Sequence, residues 1–170
     1  MTTFTMTTFK ALSLATALLA ISASGAFAKP FIQASSTEAQ MAADPKPVVV
    51  TMDSTDGSSG LTQDKGVITI SEDGTYFAIA AAQVGGSAKG LVRLWMRVND
   101  KDVDNSNTEQ SIGDPSFTAV LVCQGLMELK KGDKVVAVYS GSAKGLGLVV
   151  KKPGGEPVVP SIIVSVYKID

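Results

Sequence analysis

The stretch from Thr75 to Asp100, TYFAIAAAQVGGSAKGLVRLWMRVND, joins two β-patterns through a glycine-rich corner. In its first half Tyr76, Ala78, Ala80 and Ala82 share one face, while Phe77, Ile79 and Ala81 share the other. Both faces are apolar or small. A strand of that kind sits in the middle of a packed sandwich or against a partner. The alanines also suit a helix, but the flanking glycines and the β-rich neighbours favour a strand. The second half alternates, with Val92, Leu94, Met96 and Val98 on one side and Arg93, Trp95 and Arg97 on the other.

The corner GSAKGL recurs. It stands at Gly86–Leu91 and again at Gly141–Leu146, each time after one apolar run and before another. A phosphate-binding loop needs a Gly-Lys-Ser/Thr ending followed by a helix. Here the lysine precedes the second glycine and a strand follows, so the hexamers read as two equivalent hairpin loops. Lying together at one end of the domain, they would place Lys89 and Lys144 on a common loop rim, open to an anion or simply solubilising. Outward from these loops, VITI, SFTAVLVCQGLMEL, KVVAVYS, LGLVVK and SIIVSVYKID are further β-rich runs, punctuated at Gly125, Gly132, Gly141, Pro153 and Pro160. The segment KDVDNSNTEQSIGDPS reads as a long polar loop, and STDGSSG as another. No run carries a helical stripe. Many short strands with regular turns predict an all-β sandwich or barrel.

Residues 1–28 read as a signal peptide: Lys10, then an apolar run of small side chains, then the small-x-small site Ala26-Phe27-Ala28. Export is expected, to the periplasm or beyond, and no later stretch is long and apolar enough to predict a membrane span. Residues 29–46, rich in Ala, Ser, Gln and Pro, read as a flexible segment, and 47–170 as the folded domain. The formal net charge of −1, with dispersed basic residues, gives no reason to expect a nucleic-acid partner. Cys123, the one cysteine, lies in an apolar run and reads as a buried small hydrophobe. The chain has no histidine, which removes Ser-His-Asp and Cys-His catalysis.

The order of runs resembles the jelly-roll superfamily of tumour necrosis factor and the globular heads of complement-type proteins, in particular short secreted or phage-borne bacterial members. Gly74-Thr75-Tyr76-Phe77 opens a buried strand and Asn99 ends the next. Leu129-Lys130-Lys131-Gly132-Asp133-Lys134-Val135 is similar to the family's Leu-x-x-Gly-Asp-x-Val, and an apolar last strand runs from Ser161 to Ile169. In place of the family's Phe-x-Gly-Phe strand stands Leu146-Gly147-Leu148-Val149-Val150, and no collagen-like stalk precedes the domain. The resemblance implies an antiparallel jelly roll of about eight to ten short strands. It also implies a homotrimer with the first and last strands near the threefold axis. No ligand-binding residue of the family can be carried over. The last strand fits such an interface, with Ile162, Val164 and Val166 on one face and Ile163, Tyr167 and Ile169 on the other. Ile163, Tyr167, Ile169 and Tyr76 are the candidate interface residues; a central strand covered by a loop would look the same.

Three constellations bear on chemistry. Asp100, Asp102 and Asp104 mimic the start of an EF-hand loop, but Asn105 replaces its glycine and Ser111 its closing glutamate. A looser calcium site remains the weaker alternative to a solvated loop, and no other cofactor is implied. Ser165-Val-Tyr-Lys168 has the serine-x-x-lysine form, which works on a helix and not on a strand. Arg93, Trp95 and Arg97 would form a ladder able to contact a ligand, a sugar or another subunit. The sequence therefore predicts a non-enzymatic recognition or structural module that self-associates. The alternative is a monomeric carbohydrate-binding sandwich that uses the ladder.

Overall fold

The computed structural model describes residues 29–170, and the predicted leader at 1–28 lies outside the described residues. No helix occurs among the described residues. In chain order the strands are β1 (Phe31–Ser36), β2 (Gln40–Met41), β3 (Val48–Val49), β4 (Ser54–Ser59), β5 (Thr62–Asp64), β6 (Val67–Thr69) and β7 (Gly74–Gly86). They continue with β8 (Gly90–Val98), β9 (Lys101–Asp102), β10 (Thr108–Ile112), β11 (Ala119–Leu129), β12 (Lys134–Gly141), β13 (Leu146–Leu148) and β14 (Ile162–Lys168). Eight of these have five or more residues; the rest are short pairings at turns and edges.

The strands form two antiparallel sheets. In the first, β11 runs along one edge of β7, while β14 and then β13 occupy the other. Beyond β14 come β1 and β4, and β2 pairs with β13. The second sheet has the order β10-β8-β12-β6-β5, with β3 also on β12 and β9 also on β8. The alternation read in the sequence sets the inward faces. Tyr76, Ala78, Ala80, Ala82 and Val84 of β7 share one continuous core with Leu94 and Met96 of β8, Tyr139 of β12 and Val164 and Val166 of β14. Each large apolar side chain so buried contributes about 1.5–3 kcal/mol.

Residues 31–36 are not a flexible tail. They form β1, which pairs with β14 on one side and β4 on the other and buries Ile32 and Ala34. Ladder bonds and two inward side chains hold a segment whose composition alone looks like a linker. The two polar segments read as loops also contain strands, since STDGSS is β4 and TEQSI is β10. Their polarity reflects edge positions, where β4 and β10 each have a paired neighbour on one side only.

The GSAKGL hexamers are corners between sheets, not hairpins. One carries the chain from β7 in the first sheet to β8 in the second; the other carries it from β12 in the second sheet to β13 in the first. They lie against each other. Ser87 N donates to Gly145 O at 3.0 Å, Ser142 N donates to Leu91 O at 2.8 Å, and Leu91 N donates to Ser142 Oγ at 2.8 Å. A Cβ on Gly90 would run into Ser142 Oγ, and one on Gly145 into Ser87 Oγ. The serine of each copy thus packs over the fifth-position glycine of the other. One local solution to crossing between sheets is used twice, once in each direction.

The Leu129–Val135 turn behaves as its residues predict. Asp133 Oδ2 accepts from Lys130 N at 2.8 Å and Oδ1 accepts from Asn99 Nδ2 at 2.7 Å, while Asn99 Oδ1 accepts from Lys134 N at 2.9 Å. Asn99, just past the end of β8, and the aspartate of the turn therefore brace each other.

Two tests follow from this packing. A Cβ on Gly86 would overlap the carbonyl of Gly145. Gly86→Ala is therefore expected to cost about 2 kcal/mol or more in urea denaturation, against near-neutrality for Gly113→Ala, whose added Cβ would meet nothing. Burial pushes the Cys123 thiol up to about 12. A thiol reagent at pH 8 should label it only after denaturant is added; prompt labelling of the native protein would show that β11 opens readily.

Candidate functional site

The outward face of the first sheet is built by register. Phe31 pairs with Tyr167, Tyr167 with Phe77, and Phe77 with Leu126, which sets four large apolar side chains in one row across β1, β14, β7 and β11. The Phe77 and Tyr167 rings lie 5.5 Å apart at 47°. Nothing among the described residues covers the row fully: Phe31 is 41% exposed, Tyr167 43% and Leu126 63%. The next row, Gln33, Ser165, Ile79 and Gln124, is mainly polar. A third, Ser35, Ile163, Ala81 and Val122, is again mainly apolar, and Val120 beyond it is 62% exposed. An exposed apolar face of this kind marks an interaction surface.

The candidate interface residues divide here. Ile163 and Tyr167 lie on this outward face, opposite the buried Ile162, Val164 and Val166, and Ile169 is exposed just past the end of β14. Tyr76 does not belong with them. It points inward and is fully buried, and its hydroxyl donates to Glu72 O at 3.0 Å. The sequence reading placed it on the face opposite Phe77, and that face is the core. Phe31, Val120, Val122 and Leu126 were not singled out. Phe31 stands in the segment read as a tail. The others lie in a run apolar enough on both faces that its outward side gives no alternating signal.

The outward face of the second sheet does not present the expected ladder. Arg93, Trp95 and Arg97 do project from the same side of β8, but Trp95 is only 7% exposed. It lies beside the buried Val138, its cross-strand partner on β12. Its indole Nε1 donates to Asp102 Oδ1 at 2.7 Å, and Arg97 Nε donates to the same oxygen at 2.8 Å. Arg93 pairs instead with Glu109 of β10 at 2.7 Å. The tryptophan is tied to β9 by a carboxylate, and neither its N–H nor the arginines are free to form an exposed stack. Asp102 is thereby engaged, Asp100 sits at the β8–β9 turn, and Asp104 lies outside β9. Among the described residues no group of three or more His, Cys, Asp and Glu is placed to hold a metal ion.

Lys89 and Lys144 are both exposed, on the two adjoining corners, and neither makes an ion pair among the described residues. The corners are joined by backbone bonds, so the rim exists as a place; its lysines face solvent.

Comparisons with known proteins bear on the fold. No protein-family model matches the chain, and no curated protein matches it in sequence. Among solved structures, the crystal structure of murine APRIL superposes with a TM-score of 0.60 at 9% identity, covering 84% of this chain and 100% of that chain. The globular domain of zebrafish complement 1qA protein superposes with a TM-score of 0.50 at 18% identity, covering 84% of this chain and 98% of that one. The fold is a jelly roll. It resembles that of the tumour necrosis factor and complement globular-head proteins, as the Leu129–Val135 motif implied.

Hydrogen bonds from Arg97 and then Trp95 hold the Asp102 carboxyl below the usual carboxylate range. Because the folded-state value is depressed, its contribution to stability is present above the ordinary pKa of about 3.9 and is lost as pH falls through the lower folded value. Trp95 is the only tryptophan, so its fluorescence reports this turn. An emission change is expected at a pH below about 4 in the wild type. Asp102→Asn should remove that acid step; an unchanged step would assign it to another carboxylate.

Proposed function

We propose that this chain is an exported, non-enzymatic recognition or structural module that self-associates as a homotrimer and mediates binding or adhesion outside the cytoplasm. The observation that carries this reading is the row Phe31, Tyr167, Phe77 and Leu126, exposed on a sheet whose other face is already a complete core. Partial burial of such a row by another subunit removes apolar area from water at about 25 cal/mol per Å². Leu126 and Val120 project from the edge strand β11, while Phe31 lies on β1, two strands beyond β7. A contact that joins one side of this face to the other side in a second copy is heterologous. Such a contact closes into a ring when the rotation permits. The superfamily resemblance supports three as the number. Export rests on the leader read at residues 1–28, and the non-enzymatic reading on the lack of histidine, which removes Ser-His-Asp and Cys-His sets.

The alternative of a monomeric sugar-binding sandwich loses its support, because Trp95 is covered and its N–H is engaged by Asp102.

Light scattering behind a sizing column is expected to give the mass of three chains for the wild type. Leu126→Asp should give a single-chain mass with little change in unfolding midpoint, since the side chain is mostly exposed within one chain. A single-chain mass for the wild type would overturn the proposal.

A further inference from the structure

The row next to the apolar one carries charge. Extending the strand pairings by two residues sets Lys29 opposite Ile169, Ile169 opposite Thr75, and Thr75 opposite Glu128. Two bonds hold that extension beyond the strand ends. Lys29 Nζ donates to Ile169 O at 2.6 Å, and Ile169 N donates to Thr75 O at 2.9 Å. Opposed residues of an antiparallel sheet share a face. This row therefore lies on the outward face, one level beyond Phe31, Tyr167, Phe77 and Leu126. β4 ends at Ser59, opposite Phe31, and does not reach the level of Lys29.

The two ends of the row have opposite signs. Lys29 stands on the β1 side and Glu128 on the β11 side, and both are exposed. Neither makes an ion pair among the described residues. Glu128 Oε1 accepts from the Thr75 hydroxyl at 2.7 Å, a neutral donor that leaves its charge unanswered.

We propose that these two residues set the direction of assembly: Glu128 of one copy pairs with Lys29 of the next, so copies join head to tail. The proposal rests on the self-associating reading above and adds the residues that select a ring over a symmetric dimer. Rotation about an axis along the strands leaves every row at its own height. A contact between the β11 side of one copy and the β1 side of the next then sets Leu126 beside Phe31 and, one level on, Glu128 beside Lys29. A twofold contact about the same direction joins like sides. It sets Glu128 against Glu128, or Lys29 against Lys29. Like charges so placed repel, while the head-to-tail contact joins opposite charges at every interface.

The test is a charge swap read by light scattering over a dilution series at low salt. The chain is made from Lys29 onward behind two added glycines, which move the α-amino group away from the pair. Glu128→Lys alone and Lys29→Glu alone are each expected to raise the concentration at which the three-chain mass is half lost by about three- to tenfold. The double variant should return it to within about twofold of wild type, because each contact again joins opposite charges. The differences should shrink in about 0.5 M salt. The double variant lacks the Thr75 bond just as Glu128→Lys does, so a merely local role for Glu128 gives no rescue. A wild-type trimer indifferent to both single changes, or a double variant no better than the singles, would overturn the pairing and leave the trimer standing. A single-chain mass for the wild type would overturn both readings.

Discussion

Everything in this molecule is arranged around β7. Its thirteen residues are hydrogen-bonded along both edges, by β11 on one side and by β14 and β13 on the other. Its inward alanines add little volume of their own, and the space is filled by larger neighbours such as Leu94, Met96 and Tyr139. A strand paired on both edges and apolar on both faces has one face for the core and one left over. The leftover face fixes where apolar surface is exposed, because neighbouring strands inherit its register. Phe31, Tyr167 and Leu126 reach one row only because each pairs, directly or through one strand, with Phe77.

The second sheet solves the opposite problem. Its outward face carries arginines and one tryptophan, and that tryptophan is buried and its N–H is satisfied by Asp102 of β9. An indole with its N–H engaged and its ring beside Val138 is a structural element. The two sheets therefore differ in role: one leaves apolar surface exposed, the other closes its own.

Legibility in the sequence followed signal strength. The alternation of Val92–Val98 and the two faces of Ser161–Ile169 gave the strands and the division of their side chains between two faces, since one-in-one-out periodicity carries that information directly. The Leu129–Val135 turn was readable because glycine and aspartate have specific backbone roles. Phe31–Ser36 was not, because serine and glutamine at half its positions dilute the pattern and one of its two partners, β14, lies more than a hundred residues away. Trp95 misled for a related reason. Alternation gives the side of a strand and not whether a side chain there is buried, and a carboxylate in a polar window looks solvated until its partners are known.

The place of β14 has a consequence for how the chain reaches its final form. It pairs with β7 on one edge and β1 on the other, so the first sheet cannot close until the last strand is present. The two GSAKGL corners add a second long-range dependence, since each is braced by the other across more than fifty residues of chain. Contacts so distant in sequence require large loops to close before they contribute anything, which slows folding and makes it cooperative. A chain without Ile162–Lys168 leaves β7 and β1 each with an unpaired edge, so it stays open until its last residues join.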